Sequence, residues 1–147
     1  MSISLWIKDG FEISTDIARV DNDWLLGTLA KTYWANGNTP ETLWASQENS
    51  RIYGLYDPDG AQVGFSRVVT DMARFAWLSD VLVDPKRQGQ GLGKWLMQVV
   101  TDDPALSKIN RWMLGTNDAH GLYEQFGFER IAEPETDKVM VLRRKKN

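Results

Sequence analysis

A chain of 147 residues with 42% apolar and 25% charged side chains is long enough to bury a core without staples and fits one domain, residues 1–147. The absence of cysteine excludes disulfides, thiolate nucleophiles and cysteine-held zinc, and a single histidine leaves no histidine-rich metal centre. A net charge of −3 speaks against a nucleic-acid surface, and no segment has the layout of a signal peptide or the length of a membrane span, so a cytoplasmic protein with neither nucleic acid nor membrane as partner is expected.

A first strand is expected at 11–15 ("FEIST"). Asp21 then caps a helix in "NDWLLGTLAKTYW", where Leu25, Leu26 and Leu29 recur at helical spacing. Thr39 and Pro40 open a second helix in "GNTPETLWASQ", the one as cap and the other at the first helical position. "RIYGLYD" (51–57) and "QVGFSRVVT" (62–70) read as strands joined by the turn "DPDG", and "RFAWLSDVLVD" (74–84) as a third ending at Pro85. Leu92, Trp95, Leu96, Val99 and Val100 fall on one face of a helix. "NRWMLGT" (110–116) reads as a buried strand. "DAHGLYEQFG" (118–127) reads as a helix capped by Asp118 and closed by Gly127, and "FERIAE" and "DKVMVLRR" as final strands. The order predicts an α/β or α+β fold with a mixed sheet and helices on both faces. The basic run "RRKK" at 143–146 reads as a solvated tail, and the seven tryptophans as mainly core.

The stretch "VDPKRQGQGLGKWLM", residues 83–97, carries the first chemistry, because alternate glycines run straight into a helix. A Walker loop needs a glycine where Gln88 stands and a hydroxyl where Trp95 stands. A dinucleotide fingerprint counted from Gly89 and Gly91 needs a glycine where Lys94 stands. A third pattern fits: Gln88, Gly89, Gln90, Gly91, Leu92 and Gly93 after a strand and before a helix. Residues without Cβ let the backbone curl around an anion, amide groups point inward, and the helix start favours negative charge. Arg87 and Lys94 can add charge at its rim.

This loop resembles the pyrophosphate-binding turn of the GNAT superfamily of acyl-CoA N-acyltransferases. A second segment, "NDAHGLYEQFGFER" at 117–130, is similar to that family's last conserved segment, with Ala119, Leu122, Tyr123, Glu124, Gly127 and Phe128 in place. The likeness covers residues 51–144. Two positions depart from it: Thr116 stands where the family's asparagine usually lies, with Asn117 one residue later, and "RWMLGT" lacks the glutamate that many members carry on that strand.

The resemblance implies a mostly antiparallel sheet in which strands 74–84 and 110–116 form a parallel pair that splays apart. It also implies acetyl-CoA as co-substrate, with no metal, and transfer of its acetyl group to a primary amine of a small molecule by direct attack in a ternary complex. Val81, Leu82 and Val83 would then hold the pantetheine arm, with the Leu82 amide facing the thioester oxygen. Gln88 to Lys94 would wrap the pyrophosphate, and Asn117 would touch the cofactor. Tyr123 matches the family's usual general acid. Asp80, the carboxylate inside the apolar cofactor strand, is the candidate base or amine-binding group, although Ser79 and Asp80 reach one site only if the strand bulges. His120, three residues before Tyr123, is a second proton carrier to weigh. Tyr33, Trp34 and Trp77 are candidates for an aromatic acceptor wall suited to a cationic amine with an apolar part. A homodimer fits the family's habit, and a non-catalytic acyl-CoA sensor is the alternative function.

Overall fold

Asp9 and Gly10 both take positive φ, 51° and 82°, which is what a two-residue hairpin turn between right-twisted strands requires. They join β1 (Leu5–Lys8) to β2 (Phe11–Ser14), with Lys8 opposite Phe11. The strand expected at 11–15 is therefore the second of the chain, and "DG" between alternating residues was its signal. The computed structural model describes residues 2–35 and 37–144. It divides into one compact unit that ends at Gly115 and another that begins at Thr116.

In the first unit Asp21 accepts the Trp24 amide at 3.0 Å and starts α1 (Asn22–Leu29), which stops before the aromatic pair Tyr33 and Trp34. Thr39 accepts the Thr42 amide and Pro40 opens α2 (Pro40–Glu48). Three strands follow, β3 (Arg51–Tyr56), β4 (Gln62–Thr70) and β5 (Ala76–Val83), then α3 (Leu92–Thr101) and the two-residue β6 (Trp112–Met113). The sheet order is β1-β2-β3-β4-β5-β6, antiparallel throughout except for β5 and β6, which run parallel.

Alternation along the strands sets two packing faces. Ile52, Phe65 and Leu82 pack with Leu25, Leu29 and Leu43 of α1 and α2 into one core. Val83, next to Leu82 and so on the opposite face, lies 3.7 Å from where a Cβ on Gly93 of α3 would stand. Helices therefore cover both faces, as the element order predicts.

In the second unit α4 is short, His120–Glu124. Its start is held by Thr116 Oγ1, which accepts the amides of Asp118 and Ala119 at 3.4 and 3.0 Å, so Thr116 takes the capping role expected of Asp118. Gly127, at φ 92°, closes the turn while the Phe128 amide reaches back to the Tyr123 carbonyl at 3.3 Å. The final strands expected at "FERIAE" and "DKVMVLRR" do not form among the described residues. Glu135–Lys138 is a 3-10 turn, and Val139 to Leu142 are exposed. Alternation alone does not make a strand; the backbone also needs a ladder partner, and none is paired with these residues.

Candidate active site

The central feature of β5 is a bulge. Ser79 pairs with Arg67 and Leu82 with Phe65, so Asp80 and Val81 together oppose the single residue Ser66. Asp80 takes φ 51°, left-handed backbone that a non-glycine residue adopts only when its surroundings hold it there. What holds it is a set of hydrogen bonds. Arg67 Nε donates to Asp80 Oδ2 at 2.9 Å, and Arg67 Nη2 donates to Ser79 Oγ at 3.2 Å, so one guanidinium gathers the two neighbours that a regular strand would separate. Arg67 Nη1 reaches Ser50 Oγ at 3.1 Å, where α2 passes into β3. Trp34 Nε1 donates to Asp80 Oδ1 at 2.9 Å. The Asp80 side chain is 7% exposed and that of Arg67 16%, so this is a largely desolvated ion pair with both carboxylate oxygens occupied.

Arg67 was missed from the sequence. A charged residue in the otherwise apolar run "QVGFSRVVT" needs a partner, and that was the available signal.

Before the bulge is reached, β5 loses its neighbour on one side. Its parallel pairing with β6 covers only Ala76 with Trp112 and Trp77 with Met113, which leaves the edge of residues 78–83 without a ladder partner among the described residues. This is the parallel pair that the family resemblance implies, with its pairing ending after two residues. The Asp84 amide bonds the Val63 carbonyl at 2.7 Å, so alternation turns the Leu82 amide towards β4 as well and those of Val81 and Val83 towards the open edge. The amide expected to face the donor, that of Leu82, is thus turned towards β4, and it is those of Val81 and Val83 that lie on the open edge.

The open edge leads into the glycine turn. Gly89 and Gly91 have φ of 84° and 76°, the left-handed region that favours glycine, and a Cβ on either would meet nothing within 4 Å. Gly91 is the N-cap of α3 and supplies no side chain. The first intrahelical bond runs from the Trp95 amide to the Gly91 carbonyl at 3.0 Å, which leaves the Leu92, Gly93 and Lys94 amides at the helix start without intrahelical acceptors. Gln88, Gln90 and Lys94 are exposed and Leu92 is buried, so Leu92 can offer an anion its backbone alone. Arg87 is otherwise engaged: its Nη2 donates at 2.7 Å to Oδ2 of the buried Asp57 in the β3–β4 turn. A cradle of this shape, following a free strand edge, fits a diphosphate with an extended amide-bearing arm.

Of the aromatic candidates, Tyr33 and Trp34 meet edge to face at 5.0 Å, and both are about half exposed. Trp77 shares a strand face with Ser79 and lies opposite Val69. In the other unit Tyr123 sits on α4 with its ring 6.0 Å from that of Phe128, and Asn117 is exposed just ahead of that helix. Among the described residues no cluster of histidine and carboxylate groups fits a metal ion, and no helix is long and apolar enough to cross a membrane.

Comparison with known proteins gives a consistent picture. Residues 48–130 match the family model described as the acetyltransferase (GNAT) domain. A Xanthomonas campestris pv. campestris protein described as belonging to the GNAT family is 35% identical in its crystal structure, with a TM-score of 0.82 over 92% of this chain and 93% of that one. A GNAT family acetyltransferase of Streptococcus pneumoniae superposes with a TM-score of 0.66 at 25% identity, covering 99% of this chain and 98% of that one. The chloroplastic GCN5-related N-acetyltransferase 2 of Arabidopsis thaliana is 38% identical over 84% of this chain, which spans 45% of that protein.

Proposed function

Because the chain belongs to the GNAT acetyltransferase family, we propose that it moves an acetyl group from acetyl-CoA to a primary amine of a small molecule by direct attack. The observation that carries this reading is the continuity of the unpaired β5 edge, residues 78–83, with the left-handed glycines that open α3. Acetyl-CoA would supply the activated acetyl thioester. Val81 and Val83 have backbone groups on the open edge to bind its arm, and an amide there can stabilise charge developing on the acyl oxygen. Gln88 to Lys94 offer amides and one lysine to a pyrophosphate, and Asn117 follows from the family resemblance as a further contact.

An alkyl ammonium ordinarily titrates near ~10.4, so the acceptor must lose a proton before it attacks. Asp80 is the group to hold the amine and take that proton, because it is the carboxylate at the bulge midway along the donor strand. The Tyr123 hydroxyl, at the position of the family's usual acid, gives its proton to the departing sulfur. Tyr33, Trp34 and Trp77 supply an aromatic wall for the apolar part of the acceptor.

Titration calorimetry with acetyl-CoA and CoA, followed by a thiol-release assay over polyamines, aryl-alkylamines, amino acids and peptide N-termini, tests the reading. Binding with thiol release on an amine is the expected result. Binding without release on any amine points instead to an acyl-CoA sensor, and failure to bind CoA rejects both.

A further inference from the structure

The two donors on Asp80 are not equivalent. Arg67 is charged, its side chain is largely buried, and three of its nitrogens are engaged by Asp80, Ser79 and Ser50. Trp34 is neutral, 44% exposed, and carried by the segment after α1 rather than by the sheet. Its indole presents a single N–H to Oδ1 at 2.9 Å. That is the geometry an amine N–H would adopt on the same oxygen. An ammonium bonding a carboxylate is charged on both sides and outcompetes a neutral donor of equal reach.

We propose that the Trp34 indole N–H is a stand-in for the acceptor, and that a primary monoamine on an apolar stem displaces it from Asp80 Oδ1. The displaced ring and the adjoining Tyr33, half exposed and edge-on to it, then flank the stem. Trp34 is thus a specificity residue that keeps the desolvated carboxylate satisfied until an amine arrives, since an unpaired buried oxygen is costly. Arg67 limits the charge the site tolerates: it already balances Asp80, so one ammonium in place of the indole leaves the cluster with an excess positive charge, and each further cationic group adds to it with no compensating carboxylate in the cluster. The inference rests on the reading of the chain as an amine acetyltransferase and names the acceptor class.

The test uses the full chain labelled with ¹⁵N, with the Trp34 indole resonance assigned by its loss in Trp34→Phe, and 2-phenylethylamine and spermidine as probes. The Trp34 indole proton should move upfield and saturate with 2-phenylethylamine, respond much less to spermidine, and lie upfield without any amine in Asp80→Asn. Trp34→Phe keeps an aromatic ring but leaves Oδ1 without its donor, so the KM for 2-phenylethylamine should fall about tenfold, the equivalent of about 1.4 kcal/mol. An indole resonance that stays fixed while 2-phenylethylamine is acetylated overturns the displacement and leaves the acetyltransferase reading intact, as does a raised KM in Trp34→Phe. A stronger response to spermidine overturns the monoamine preference. No response and no turnover with either amine overturns the proposal, and acetyl-CoA calorimetry on the same sample then tells whether the acetyltransferase reading falls with it.

Discussion

Arg51 Nε donates to Asp103 Oδ2 at 2.7 Å, joining the first residue of β3 to the turn after α3 with side chains only 4% and 1% exposed. The Tyr53 hydroxyl donates to the same oxygen at 2.6 Å, and Asp103 Oδ1 accepts the Ala105 amide at 2.9 Å. Both oxygens of this buried carboxylate thus have donors. Asp103→Asn removes the charge and leaves a buried guanidinium uncompensated, which should cost about 3–5 kcal/mol of stability in urea unfolding. Arg51→Met combined with Asp103→Leu should recover only part of that loss, because no charge is left unpaired but the buried Tyr53 hydroxyl and the Ala105 amide lose their acceptor. A single substitution that costs under about 1 kcal/mol would show the pair to be dispensable.

Gly91→Val separates the glycine turn from the rest of the fold. At φ 76° a β-branched residue is strained by about 1–2 kcal/mol, yet its Cβ meets nothing within 4 Å, so the domain should stay folded. The isopropyl group would add bulk at the N-cap of α3, beside the helix-start amides proposed to hold the diphosphate. Calorimetry should therefore find acetyl-CoA binding lost while circular dichroism stays native. Retained affinity would remove the pyrophosphate assignment.

Much of the fold and the backbone of the glycine turn were legible because both are written in local patterns. Thr39 with Pro40, the turn at 57–60, the face of Leu92, Leu96, Val99 and Val100, and the glycines at 89 and 91 each declare themselves within a few residues. The cluster around Asp80 was not legible in the same way. The partners of Asp80 lie 46 residues away at Trp34 and 13 away at Arg67, and the bulge that brings Ser79 and Asp80 to one guanidinium is a property of β4 and β5 together. Nothing in "WLSDVLV" reports an insertion in the register. The terminal run "DKVMVLRR" errs in the other direction, since its alternation promises a strand and the described residues supply no ladder for it.

Tyr123→Phe tests the proton donor. If the phenol protonates the departing thiolate, turnover should drop by about 10²–10⁴-fold with acetyl-CoA affinity unchanged. The ring contact with Phe128 survives the substitution, so a loss of folding is not expected. Turnover equal to that of the parent protein would reject the role and move attention to His120, the first residue of the same short helix.

Tyr56 gives the alkaline limb of stability a residue to test. Its hydroxyl is buried without a described partner, Arg19 stacks over its ring at 4.3 Å, and a Cβ on Gly54 would stand 2.8 Å from its Cζ. Burial pushes its phenol from 10.0 up to about 12, because the charged form is penalised inside the protein. A group with a raised folded value holds its proton more tightly when folded. Its contribution is therefore complete below pH 10 and is lost as the unfolded chain ionises first, between pH 10 and about 12. That difference corresponds to about 2–3 kcal/mol, so Tyr56→Phe should flatten the fall in unfolding free energy across that window by up to this amount. Burial and the bond to Asp103 push Tyr53 in the same direction, and its share of the slope should persist in the variant. At pH 7 the same substitution deletes an unsatisfied buried hydroxyl and should be neutral or stabilising. Urea unfolding of both proteins from pH 7 to 12 checks the two expectations together, and an unchanged alkaline slope or a neutral-pH loss above about 1 kcal/mol would mean that the hydroxyl has a partner.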